Sequence, residues 1–175
     1  MQAVFREAGP ADIDALIRLR WEMSLEQQGQ PTETFDGFAQ RCGSFLREAL
    51  ASGKWGVWVA EVDGSLVAHI YIQLIDKVPR PGRVANKYAY MTAVYTSPRF
   101  RGKGIGGELL QRACAWAERA GAEFTIVWPA ERAVDFYARA GFVRTTEPME
   151  RESASEAGPV GADQGSAAEM TEDVG

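Results

Sequence analysis

Arg101-Gly102-Lys103-Gly104-Ile105-Gly106 stands between an apolar stretch that reads as a strand and a run of helical periodicity. A glycine-rich turn that opens a helix presents free backbone N–H groups to an anion, and the helix dipole adds to the attraction. Gly102, Gly104 and Gly106 let the chain turn tightly and come close to a phosphate without a Cβ in the way. Arg101 and Lys103 add positive charge beside it. The run is too short for a Walker A loop, and no Ser or Thr follows the lysine. Backbone amides, more than side chains, are therefore expected to hold the anion.

Reading outward, residues 104–120 form a helix with Ile105, Leu109, Leu110, Ala113, Cys114 and Ala117 on its inner face, ended by Gly121. Residues 86–95 before the turn read as a strand. Further upstream, residues 55–62 and 66–75 are strands joined by the hairpin signal Asp63-Gly64. A short strand at residues 4–6 precedes a helix opened by Pro10 or Asp12, whose stripe is Ile13, Leu16, Ile17, Arg20 and Trp21. A second helix spans 34–50, with Phe35, Phe38, Cys42, Phe45, Leu46 and Ala49 facing inward. Downstream come a strand at 124–128, a helix at 131–140 stopped by Gly141, and a closing strand at 142–146. The order β-α-α-β-β-β-α-β-α-β puts hairpins before a βαβ unit. That predicts an α/β domain of mixed α+β character, with one mixed, largely antiparallel twisted sheet flanked by helices.

The chain has 175 residues, 46% of them hydrophobic, which suits one domain with a sizeable core. Residues 147–175 carry a net charge of −7 against −5 for the whole chain, leaving +2 for residues 1–146. The expected division is a domain at 1–146 and an acidic, disordered tail at 147–175. No apolar run is long enough for a membrane span, and the first residues do not read as a secretory leader. Cys42 and Cys114 lie among apolar neighbours and read as free thiols, so a cytoplasmic setting is expected. With one histidine and no CxxC, no metal is expected. The body is too weakly basic for a nucleic-acid partner.

Two blocks together carry a family resemblance. One is Val94-Tyr95-Thr96-Ser97-Pro98-Arg99-Phe100 running into the glycine turn, followed by Leu109-Leu110. The other is Ala133-Val134-Asp135-Phe136-Tyr137-Ala138-Arg139-Ala140-Gly141-Phe142. In this order, over residues 3–146, the chain resembles the GCN5-related N-acetyltransferase (GNAT) superfamily and its acyl-CoA N-acyltransferase fold. The resemblance implies acetyl-CoA as cosubstrate and a splay between the two central parallel strands, where the pantetheine arm lies. It implies backbone contacts at Val94, Tyr95 and Thr96, and pyrophosphate on the amides from Arg101 through Gly102, Lys103, Gly104 and Ile105 to Gly106. It also implies that Tyr137 donates to the departing sulfur. Ala130 departs from the asparagine that many members carry seven residues before that tyrosine.

Direct attack by an amine within a ternary complex needs no enzyme nucleophile, only positioning and stabilisation of charge. A backbone N–H near Thr96 suits the developing oxyanion. Candidate bases are Glu22 and Glu26, four apart near the end of the first helix, and His69, on a strand face with Val67, Tyr71 and Gln73. Both carboxylates read equally as exposed helix charges. Tyr88, Tyr90 and Thr92 share a strand face and, with Trp21, read as acceptor-pocket lining or as ordinary core. Lys77, Arg80, Arg83 and Lys87 make a basic loop that suits an acidic acceptor, the CoA 3′-phosphate, or solvent. The expected acceptor is a primary amine of a small molecule or peptide. Protein lysine or N-terminal acetylation, a non-catalytic acyl-CoA-binding or regulatory domain, and an interaction protein reusing the fold stand as alternatives. Lysine acetylation is disfavoured because residues 86–95 lack the glutamate some protein acetyltransferases use there. Homodimerisation is compatible with the resemblance.

Overall fold

The computed structural model describes residues 2–82, 84 and 86–145. Arg83 of the basic loop, Thr146 and the acidic tail lie outside the described residues. Five strands form one sheet in the order β1-β2-β3-β4-β5: β1 Ala3–Glu7, β2 Trp55–Val62, β3 Ser65–Asp76, β4 Lys87–Thr96 and β5 Ala122–Val127. The first four pair antiparallel, and β4 pairs parallel with β5. The helices are α1 Ile13–Gln28, α2 Phe35–Ser52, α3 Ile105–Arg119 and α4 Val134–Arg139. The expected order holds from β1 to α4. The expected closing strand does not form in its described part, since residues 142–145 are irregular and β5 is the last strand of the described sheet.

Local chemistry fixes the boundaries. Thr34 caps α2 by accepting a hydrogen bond from the Gly37 amide at 3.3 Å, and Gly53 ends it at φ 65°. Asp63 and Gly64, at φ 50° and 75°, make a tight hairpin with both central residues left-handed. Arg6 ties β1 to Asp12 at 2.7 Å and to Glu61 at 2.8 Å, and the Asp12 carboxylate also accepts from the Gly9 amide.

Each face of the sheet buries its own core. Trp58, Ile70, Ile72, Ala89 and Met91 pack with Leu109, Leu110 and Ala113 of α3 and Tyr137 of α4. On the opposite face, Val57, Val59 and Tyr71 pack with Leu16 and Ile17 of α1 and Leu46 of α2. Simple alternation put Val67 on the face of His69. Instead the β2–β3 register slips at Ala60/Glu61, and Val67 joins Ala68 on the α3 side. Phe35 and Phe45, read as inward-facing, remain 38% and 40% exposed at the outer margin of α2.

Gly56 lets α3 lie close on the sheet. A Cβ there would stand 2.9 Å from the Trp116 ring and 3.0 Å from Ile72 Cγ2. Gly56→Val is expected to lower stability by about 2–3 kcal/mol, because a packed ring and a strand neighbour would both have to move. Urea denaturation measures it, and an unchanged midpoint would contradict this packing account.

Candidate active site

The glycine turn follows the end of β4. A 3-10 turn at Pro98–Phe100 redirects the chain, and α3 begins at Ile105. Gly102 and Gly104 have φ of 71° and 78°, and Gly104 is the N-cap of α3. A Cβ on either would meet nothing within 4 Å, so backbone conformation, not crowding, calls for glycine there. Gly106 differs: its Cβ would lie 3.1 Å from Thr96 Oγ1 and 3.5 Å from the Phe136 ring. The start of α3, the end of β4 and α4 therefore meet at Gly106. Among the described residues, the amides of residues 102–107 make no backbone hydrogen bond. Lys103 lies over the Phe100 ring at 5.3 Å.

Beside this turn the sheet opens. The β4–β5 register runs from Lys87↔Ala122 to Met91↔Val127 and stops. Residues 92–96 of β4 thus have no strand partner on that edge among the described residues. On the other edge, the β3–β4 register slips between His69↔Tyr95 and Tyr71↔Thr92. Ala93 sits in the resulting bulge at φ 48°, a conformation that strains an alanine by about 1 kcal/mol or more. Val94, Tyr95 and Thr96 continue past it towards the turn.

Tyr137 is 7% exposed, with its ring edge-on to Phe136 and Phe142 at 5.1 and 5.5 Å. Burial, with a smaller effect from Cys114, pushes its phenol up to about 12. Ala130 is the N-cap of the short 3-10 turn before α4 and offers no side-chain cap.

Arg101 is engaged within the protein. Its Nε donates to the Thr96 carbonyl at 2.8 Å, and its Nη2 donates to Glu26 Oε2 at 2.6 Å, with the guanidinium over the Tyr95 ring at 5.6 Å. The hydrogen bond from Arg101 holds the Glu26 carboxyl below its usual range, against a smaller desolvation effect. Two candidates with separate expected roles, Arg101 and Glu26, thus form one clamp between α1 and the turn. Glu22 is exposed one helical turn earlier.

His69 is buried completely beneath α1, between Tyr71 and Tyr95. Its Nδ1 is 2.8 Å from the Ala93 carbonyl, a donor's position, while Nε2, on the side of the Leu19 backbone, makes no hydrogen bond of ordinary geometry. Burial, with help from the nearby Arg20 charge, lowers its pKa to about 3. The ring is therefore neutral at pH 7 and secures the bulge. Between about pH 6.5 and 3 the unfolded chain binds a proton here that the folded chain does not, so stability falls as pH drops through this window. His69→Gln is expected to flatten that fall, as seen by urea midpoints at pH 7, 6, 5 and 4. Parallel curves for the two proteins would contradict it.

On the α1–α2 side of the bulge lies a cavity of about 340 Å³, lined in part by Arg20, Arg41, Phe45, Trp55, Tyr71 and Thr92. Of the residues expected to line a pocket, Thr92 does so. Tyr88 and Tyr90 pack against Phe124 and Trp128 of the β5 margin, and Trp21 packs on Phe35 and Phe38. The arginines of this cavity were not singled out from sequence. The available signal was Arg20 itself, a charged residue within the apolar stripe of α1. In the basic loop, Lys77 is paired with Glu123. Burial raises the thiol pKa of Cys42, and that of Cys114 to about 11, so neither is poised as a thiolate.

Among the described residues, no helix is long and apolar enough to cross a membrane, and no group of three His, Cys, Asp or Glu could hold a metal ion. A model of the acetyltransferase (GNAT) family matches residues 13–142. The fold is similar to a GCN5-related N-acetyltransferase from Ralstonia eutropha JMP134, at 28% identity over 88% of this chain and 100% of that one, with a TM-score of 0.72. It is also similar to a predicted acetyltransferase solved with acetyl-CoA from Clostridium acetobutylicum, at 23% identity over 86% and 96% of the two chains, with a TM-score of 0.75. Among curated proteins, none matches the chain.

Proposed function

The chain belongs to the GNAT acetyltransferase family, and from that footing we propose that it transfers the acetyl group of acetyl-CoA to a primary amine of a small molecule or peptide, both substrates being bound together. One observation carries the assignment. The unbonded amides of residues 102–107 lie directly beyond the stretch of β4 that β5 leaves unpaired. An anion-binding turn and an open strand edge, placed end to end, suit a long ligand with phosphate at one end and amides along its arm.

Acetyl-CoA supplies the acetyl group as a thioester, already activated towards an amine. The protein's share is to bind, orient and stabilise. The amides of the turn and the α3 dipole hold the pyrophosphate, with Lys103 adding charge. Arg101, fixed to Glu26 and Thr96, acts by bracing the turn against α1. The unpaired edge of residues 92–96 orients the pantetheine arm.

Tyr137 holds its proton at Oη at neutral pH and donates a hydrogen bond to the leaving sulfur. Full transfer of that proton to a thiolate of pKa near 8.5 would be uphill by about 5 kcal/mol, so hydrogen-bond donation is the favoured role. Glu26 is committed to Arg101, and His69 is too weak a base to accept an ammonium proton. The amine therefore reacts in its neutral form and loses its proton to water, with the exposed Glu22 the candidate carboxylate left to take it up.

Calorimetric titration of the folded protein with acetyl-CoA tests the assignment, followed by thiol release in the presence of amines. Saturable one-site binding with amine-dependent release is the expected result. Binding without release from any amine would leave an acyl-CoA-binding domain. No binding of acetyl-CoA or of longer acyl-CoAs would overturn the reading.

A further inference from the structure

We propose that the cavity between α1, α2 and the sheet is the acceptor subsite, and that it selects an amine bearing a carboxylate on an apolar or aromatic body, with Arg20 as the carboxylate ligand. The proposal rests on the transferase reading above and narrows its substrate class.

Charge and shape point the same way. Arg20 and Arg41 both line the cavity, and no carboxylate does. Arg41 is already held by both oxygens of Glu33. Arg20 has no ion pair among the described residues, and its one hydrogen bond goes to the Met23 sulfur, a weak acceptor, at 2.9 Å. Most of its donors therefore remain unused, in a place walled by Phe45 and Trp55.

Tyr71 borders the same space; it is 3% exposed, and its buried hydroxyl has no hydrogen-bond partner. A guanidinium whose acceptor is only a thioether suits a carboxylate, which takes up two of its donors in parallel.

The same cavity also reaches the edge where the chemistry is expected. Thr92 and Ala93 belong to its lining, and Ala93 is the bulge residue directly before Val94 on the open edge of β4. An amino group a bond or two from a carboxylate held at Arg20 lies beside Thr92 and Ala93 and so next to the edge where the thioester is expected. A volume of about 340 Å³ lies at the small end of the usual range for ligand pockets, suiting one molecule of amino-acid size. Polycationic acceptors, such as polyamines and aminoglycosides, are disfavoured because they would face the Arg20 guanidinium, which has no ion pair among the described residues.

Matched pairs of amines make the test: L-phenylalanine with 2-phenylethylamine, L-tryptophan with tryptamine, and L-leucine with isoamylamine. Each pair differs in the carboxylate alone. Thiol release gives kcat/KM, and calorimetry in the presence of CoA gives an affinity that does not depend on turnover. In the wild-type protein, at least one carboxylated member is expected to exceed its partner by about 30-fold in kcat/KM or in affinity, the ordinary value of a charge-assisted hydrogen-bond pair. Arg20→Gln is expected to shrink that ratio to about 3-fold or less, and Arg20→Lys to leave an intermediate ratio. Circular dichroism confirms that both variants fold.

An equal preference in wild type and Arg20→Gln would overturn the proposal. So would a preference for the decarboxylated amines, or no binding of any carboxylated member. A failure of acetyl-CoA to bind is scored separately, because it strikes the transferase reading while the calorimetric ratio still judges the cavity.

Discussion

Gly104→Glu should abolish acetyl-CoA binding, weakening it by at least about 100-fold while the fold persists. Two effects combine. Gly104 sits at φ 78°, where an L-residue costs about 1–2 kcal/mol. The new carboxylate would also stand among the amides of residues 102–107, turning an attractive site for phosphate into a repulsive one. The helix itself tolerates the change, since an acidic group near an N-terminus complements the dipole. Gly104→Ala separates the two contributions. Alanine lets the free turn relax out of the left-handed conformation that binding must restore, so affinity is expected to fall by about 5–30-fold. Lys103→Ala, at an exposed position, should cost no more than about 3-fold. Calorimetry on the three variants, beside circular dichroism, reads this order directly. A larger loss for Lys103→Ala than for Gly104→Glu would mean that side chains, not amides, hold the phosphates.

Tyr137→Phe should reduce kcat by about 30-fold and leave the affinity for acetyl-CoA within about 2-fold of wild type. The substitution keeps the ring that packs on Phe136 and Phe142 and removes only the hydroxyl. A group that acts on the leaving sulfur matters mainly once negative charge has developed there, so binding should be spared. Thiol release at saturating amine measures kcat, and thermal unfolding serves as the control. An unchanged kcat would reduce Tyr137 to a packing residue. A fall in stability that accounts for the lost activity would do the same.

Local signals made much of the fold legible. Thr34 capping α2, Asp63-Gly64 turning the hairpin and the stripe from Ile105 to Ala117 each act within a few residues of themselves. Their reading depends on backbone conformation and periodicity alone. The closing strand expected at residues 142–146 needs more than local pattern, because a short apolar run becomes a strand only if a neighbour offers it an edge. Residues 142–145 are irregular, although Phe142 packs against the core that includes Tyr137.

The site divided along the same line. The glycine turn was readable because positive φ and free amides are properties of a short segment. The Arg101–Glu26 clamp joins residues 75 positions apart, and no periodicity relates them. His69 looked like a cleft residue by alternation. Its strand does place it with Tyr71, but α1 covers it completely, and burial turns a candidate base into a neutral support for the bulge. Burial depends on which helix lies on which face, and alternation cannot supply that.

The sequence alone determined the order of elements from β1 to α4, the glycine turn that opens α3 and the family to which they belong, because each is written in contiguous residues. Only the tertiary structure decided where β5 parts from β4, that Arg101 braces the turn through Glu26, and that Arg20 lines a cavity with no ion pair among the described residues. Those features arise from the packing of distant segments, and a side chain's charge state, exposure and unmet hydrogen bonds are set by the neighbours that packing provides.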